Sequence, residues 1–148
     1  MFPPYHTITP MRYLGVDYGS KKVGLALSDE AGTMGFPHTI LMNTPHLLEE
    51  VCALIKEKNV QAVVIGESRT LPGGENPIAI AARTFGSALA KETGLPVYYE
   101  SEVLTSEEAR QSLHKAGKSR SPRQHELVDA QAAALILTSY LSRSRAEV

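Results

Sequence analysis

The sequence has a single cysteine, no long apolar run and no excess of positive charge, and each shortage excludes something. Cys52 alone can form neither an intramolecular disulfide nor a cysteine-based zinc site, which fits a reducing compartment. No run approaches the roughly 20 apolar residues that cross a bilayer. No signal-peptide pattern opens the chain, so a cytoplasmic protein without a membrane partner is expected. Lys and Arg number 15 against 16 Asp and Glu, a formal net charge of −1. That balance excludes a histone-like protein held to nucleic acid by bulk charge. What is present is ordinary for a globular chain: 43% hydrophobic and 21% charged residues over a length of 148, which suits one domain.

Residues 1–10 hold three prolines and no periodic pattern. They are expected to be an irregular extension, or upstream sequence ahead of a start at Met11, leaving 11–148 as a single domain. Residues 13–16 are a short apolar run ending at Asp17. Val23, Leu25 and Leu27 then alternate with Gly24, Ala26 and Ser28, the period of a strand with one closely packed face. A third strand is expected over 34–41, completing an antiparallel meander. Thr44 as N-cap with Pro45 at the first helical position predicts an amphipathic helix to Lys58. Residues 62–65 read as a buried parallel strand, 67–75 as a loop, 76–93 as a helix stopped by Gly94, and 95–99 as a last short strand. Capping boxes at Thr105 and Ser121 predict two further helices, over 105–116 and from Pro122 through Leu141, joined by a polar link. The expected fold is α/β: three antiparallel strands, then two parallel ones, in one mixed five-stranded sheet with helices on both faces.

Three acidic residues stand out by position. Asp17 ends the first strand, Glu102 follows the last, and Asp129 sits inside the alanine-rich stretch 127–137. A carboxylate in so apolar a helix is costly to bury unless a cation or donor meets it. Strand-end carboxylates facing one on a helix would form an oxygen-rich cluster, which calls for hard cations such as Mg²⁺ or Mn²⁺. Each residue also has a plainer role open to it. Asp17 fits the turn before Gly19, and Glu102 fits a solvated loop charge.

Three motifs carry a family resemblance. The run Gly15-Val16-Asp17-Tyr18-Gly19-Ser20-Lys21-Lys22-Val23-Gly24 resembles the opening motif of the RuvX/YqgF family, compact relatives of ribonuclease H and the RuvC resolvases. Ser101-Glu102-Val103-Leu104-Thr105-Ser106 resembles that family's Asp-Glu-Arg-Leu-Thr-Thr motif, and Asp129-Ala130-Gln131-Ala132-Ala133 its closing Asp-Ala-x-Ala-Ala helix. The resemblance spans residues 11–141 in the family's order. It implies a ribonuclease H-like fold and a nuclease site in which Asp17, Glu102 and Asp129 hold two Mg²⁺ or Mn²⁺ ions. It also implies a substrate in the 5′-end maturation of pre-16S ribosomal RNA, with the small-subunit precursor as partner.

The sequence departs from the family at Ser101, often Asp, at Val103, often Arg, and at 66–69, where many members carry a Gly-x-Pro loop. Glu126 and His125 share the helix face of Asp129. Glu126 is a candidate fourth ligand, with a solvent-facing charge as its alternative, and His125 has the same two readings.

Five of the 15 cations, Arg110, Lys115, Lys118, Arg120 and Arg123, fall in one stretch without an intervening acid. With Lys21, Lys22 and Arg69 they form a candidate nucleic-acid contact set. Tyr18, Tyr98 and Tyr99 are candidates for base stacking, the last two also for core or edge packing. Competing functions are a Holliday-junction resolvase acting on branched DNA, a non-catalytic RNA- or ribosome-binding module, and a sugar-kinase-like ATPase suggested by Asp17-x-Gly19. A resolvase needs a stable dimer. No long heptad helix declares one, so a monomer or weak dimer is expected.

Overall fold

The computed structural model describes residues 11–67, 77–101 and 122–146, without the side chains of 101, 122–128 and 144–146. Strands β1 (Arg12–Tyr18), β2 (Lys22–Ser28) and β3 (Gly35–Met42) are followed by α1 (Leu47–Glu57), β4 (Val60–Glu67), α2 (Pro77–Thr93), β5 (Val97–Ser101) and α3 (Pro122–Ala146). The five strands form one sheet in the order β3-β2-β1-β4-β5. β1 pairs antiparallel with β2 and β2 with β3, whereas β1–β4 and β4–β5 are parallel. The mixed sheet expected from the sequence is the one found. The helix expected over 105–116 and the link at 118–121 lie outside the described residues.

The two faces of the sheet are packed differently. Leu14, Val16, Val23, Leu25, Val63 and Ile65 point to the side covered by α1 and α2, where they meet Leu47, Val51, Ile55, Phe85 and Leu89 in one large-residue core. The alternate strand positions point to α3, where Ala26 and Val64 meet Ala133, Ala134, Ile136, Leu137 and Leu141. Gly15 and Gly24 lie on this second face, and a Cβ on either would collide with the backbone of α3. Their missing side chains let the 25-residue helix settle directly on the strands.

Several boundaries differ from the sequence reading: β4 runs over Val60–Glu67, longer than the expected 62–65 and taking in Glu67, β3 is shifted by one residue, and three others have a local cause. α1 begins at Leu47, not Pro45, and its N-cap His46 makes no side-chain cap bond. Thr44 instead closes a turn: its carbonyl accepts from Leu47 N at 3.0 Å and its hydroxyl from His46 N at 3.1 Å. β5 starts at Val97, two residues later than expected, because Pro96 contributes only its carbonyl, accepting from Val63 N at 3.0 Å. α3 runs on past Leu141 to Ala146, since residues 142–146 contain neither Gly nor Pro. α2 follows expectation from Pro77 to Thr93. Gly94 ends it at φ 73°, donating to the Ala90 carbonyl at 2.8 Å.

Candidate active site

β1 delivers Asp17 to the carboxyl end of the parallel strands. Because Gly15 faces α3, Asp17 two residues later faces it too. Asp17 pairs in register with Gly24 on β2, and a Cβ on Gly24 would strike the carbonyl oxygen of Asp129. The chain of contact is therefore Asp17, its cross-strand neighbour Gly24, and the Asp129 backbone lying in the space Gly24 leaves. Two of the three acids picked from sequence are brought to one patch of one face. Asp17 is buried, at 6% exposure. A carboxylate so placed needs a cation or donors to offset its lost hydration. Asp17 is the penultimate residue of β1, one residue before the turn.

The turn after Asp17 is built by its own backbone. Asn43 donates from its backbone N to Lys21 O at 2.9 Å and from Nδ2 to Gly19 O at 2.8 Å, tying residues 19–21 to the end of β3. Lys22 opens β2 opposite Met42 and is exposed. As it lies two residues before Gly24, it shares the face of Asp17. Lys21 is exposed beside it. Of the candidate nucleic-acid contacts these two stand next to the acids. Arg69, Arg110, Lys115, Lys118 and Arg120 lie outside the described residues, as does Glu102, the residue after β5. Arg123, His125 and Glu126 fall in α3, with side chains not described. Among the described residues no three His, Cys, Asp or Glu side chains form a metal-sized group.

Two charged clamps at the same end of the sheet went unnoticed in the sequence. On the α3 face, Glu100 of β5 is 7% exposed. It accepts from Ser139 Oγ at 2.8 Å and is ion-paired with Arg143, both on α3. Arg143 also lies over Tyr140, whose ring stacks on Tyr98 at 5.4 Å. On the opposite face, Arg83 of α2 donates from Nε to Glu67 Oε2 at 2.5 Å and covers the Tyr99 ring at 4.4 Å. The strand alternation could have flagged Glu100, which shares a face with Tyr98 and so with α3. No local signal points to partners 39 and 43 residues away.

The tyrosines are used for packing. Tyr18 lies against Phe85, ring centroids 5.4 Å apart, Tyr99 lies under Arg83, and Tyr98 is stacked on Tyr140. Burial pushes the Tyr99 and Tyr140 hydroxyls up from their ordinary value, so both stay protonated. Base stacking by Tyr18 is therefore not supported.

A cavity of about 610 Å³ opens at the other end of the molecule, lined by Cys52, Lys56, Asn59 and Glu92 among others. It lies at the amino ends of β4 and β5, the far end from Asp17. Burial, then the nearby Glu92 charge, raises the Cys52 thiol above its ordinary value, which does not suit a nucleophile. The chemistry-bearing residues are at the strands' carboxyl ends, where α/β sheets place their ligands. Among the described residues no helix is long and apolar enough to cross a membrane.

Comparison with known proteins identifies the family and the fold. The sequence pattern of the RuvX family, described as "Holliday junction resolvase", matches residues 11–143. A protein of Oleidesulfovibrio alaskensis named "Putative pre-16S rRNA nuclease" is 40% identical over 134 residues, covering 89% of this chain and 92% of its own. A protein of the same name from Oenococcus oeni is 38% identical over 138 residues, covering 90% of this chain and 95% of its own. Among solved structures, Thermus thermophilus RuvC in complex with a Holliday junction superposes with a TM-score of 0.58 at 20% identity, covering 91% of this chain and 96% of that one. The fowlpox virus Holliday junction resolvase gives 0.56 at 13% identity, covering 90% and 99%. These structures share the ribonuclease H-like sheet and helices described above. With nearly its whole length matched, the chain belongs to the RuvX family.

Proposed function

We propose that the protein is a metal-dependent nuclease that hydrolyses phosphodiester bonds at the 5′ end of precursor 16S ribosomal RNA. One observation carries the reading: Asp17, buried at a strand end, pairs with Gly24, and the Asp129 backbone of α3 occupies the space that Gly24 leaves. The names of relatives 38–40% identical over nine-tenths of the chain support the substrate.

The donors fit a hard divalent cation. Carboxylates are the hard oxygen donors that Mg²⁺ and Mn²⁺ take, and Asp17 stands at a sheet edge beside Gly24, on which the Asp129 backbone lies. Asp17 and Asp129 would hold Mg²⁺ or Mn²⁺, with Glu102 and Glu126 completing the set. Bound there, such ions supply activation of a water and charge neutralisation at the scissile phosphate. Asp17 contributes a fixed carboxylate, since the paired strand leaves its backbone no freedom. Asp129 is fixed by the contact of its own peptide with Gly24. Lys21 and Lys22 attract and orient the phosphate backbone from the solvent side. Cys52 takes no part, being at the other end of the sheet.

The test is cleavage of a precursor 16S RNA fragment and of a synthetic four-way DNA junction, each with Mg²⁺ or Mn²⁺. The expected result is RNA cleavage by the parent, lost in Asp17→Asn and Asp129→Asn at unchanged thermal stability. Retained cleavage in Asp17→Asn overturns the assignment of Asp17, and absence of cleavage of either substrate by the parent overturns the reading in favour of a binding module. The family's description favours a second reading, junction resolution. Cleavage of the junction but not of the RNA would establish it.

A further inference from the structure

We propose that Arg83 binds a backbone phosphate of the nucleic-acid strand that Asp17 addresses, an assignment that rests on the nuclease reading. Arg83 stands in the second turn of α2 with a side chain 58% exposed, yet its guanidinium is held on two sides. Glu67 takes the Nε–Nη2 edge through one oxygen, and Tyr99 lies flat beneath it. Tyr99 is itself fixed, because its hydroxyl fills the place where a Cβ on Gly86 would be. No bond to Nη1 is made among the described residues, so that end of the fork is left with its donors unspent. A guanidinium held in plane and open on one edge is arranged for phosphate, since little side-chain freedom remains to be lost on binding.

Position adds to this. Val16 pairs with Ile65, so Glu67 is level with Tyr18, the residue after Asp17. Tyr18 packs on Phe85, two residues beyond Arg83 in α2. Lys22 lies beside Asp17 on the α3 face, and Arg83 of α2 lies on the opposite face, held to the end of β4 by Glu67. β2 and β4 are two strand spacings of about 4.8 Å apart, so both cations border the same carboxyl edge, one on each face. A strand lying across the carboxyl edge would touch both.

The competing role is a clamp that only fastens α2 to β4, and salt dependence separates the two. Single-stranded RNA carrying a fluorophore is titrated by anisotropy against the full-length Asp17→Asn protein, which cannot consume it, over a series of KCl concentrations. Arg83→Ala is expected to weaken binding about tenfold. It should also reduce the slope of log affinity against log salt by about 0.7, the value of one phosphate contact on a single strand. Arg83→Lys restores the slope but not the full affinity. Lys91→Ala, the same charge change about 12 Å along the same helix, moves neither. An unchanged slope in Arg83→Ala overturns the assignment, whatever happens to its melting temperature. Should that variant not fold, Glu67→Gln decides: it keeps a stacked cation and removes the adjacent negative charge, so binding at least as tight as the background is expected, and weaker binding overturns the proposal. If the Asp17→Asn background binds no RNA at all, the nuclease reading falls along with it. If the background binds and Arg83→Ala matches it, only the role of Arg83 falls.

Discussion

The face of the sheet under α1 and α2 is built from large branched side chains, whereas the face under α3 mixes Gly15, Gly24 and Ala26 with Val64, tyrosines and the acids Asp17 and Glu100. On the first, stability comes from apolar area removed from water, and position is tolerant because side chains can repack. On the second, the helix backbone sits on the strand backbone, so a displacement of a single methyl group is felt directly. The proposed chemistry lies on the second. Close backbone contact seats the Asp129 peptide on Gly24, the cross-strand neighbour of Asp17, without using any side chain as a spacer. The same face carries Glu100, whose burial is compensated by Ser139 and Arg143.

Four substitutions would break or sharpen this contrast. Leu25→Ala, in the large-residue core, should cost about 2–5 kcal/mol in urea unfolding. The protein that remains folded should cleave at close to the parent rate, because α3 is untouched. Arg143→Ala comes next, at about 3 kcal/mol, since it leaves the Glu100 carboxylate buried without its cation. Glu100→Ala should cost less, as Arg143 is half exposed and regains water, so the order of the two variants tests the clamp. Gly24→Ala should cost about 1–3 kcal/mol, less than Leu25→Ala, yet reduce cleavage far more, because its Cβ pushes the Asp129 peptide away from β2 and so from the strand pair that holds Asp17.

The smallest effect lies far from the site. Asp29 accepts from Thr33 Oγ1 at 2.5 Å, Thr33 N at 2.7 Å and Met34 N at 3.1 Å. The Thr33 hydroxyl, followed by the backbone donors, holds the Asp29 carboxyl below its ordinary value. A lowered folded-state value stabilises the protein above the unfolded value of about 3.9 and stops doing so as pH falls through the folded one. Asp29→Asn should therefore cost on the order of 0.5 kcal/mol at neutral pH, given its partial solvent exposure, and less at pH 2. Melting temperatures at the two pH values check it.

Much of this was legible in the sequence where the signal is local. Alternation in 23–28, proline at the start of α2 and Gly94 at its end all specify their elements within a few residues. Asp17 and Asp129 were legible because a carboxylate in an apolar run needs a reason. The start of α1 was not, since Thr44 serves a turn as readily as a cap. Neither was the start of β5, where pairing with β4 begins at Val97 and Pro96 lends only its carbonyl. The Glu67–Arg83 and Glu100–Arg143 clamps join residues 16 and 43 apart, and such pairs exist only once the sheet has placed them.

The central claim is that Asp17 and Asp129 act as one site. A double-mutant cycle on RNA cleavage in Mg²⁺ tests it most directly, comparing Asp17→Asn, Asp129→Asn and the pair. The account predicts that the double variant is no slower than either single one, as for residues that function as a unit. Losses that multiply would mean two independent contributions and would contradict it.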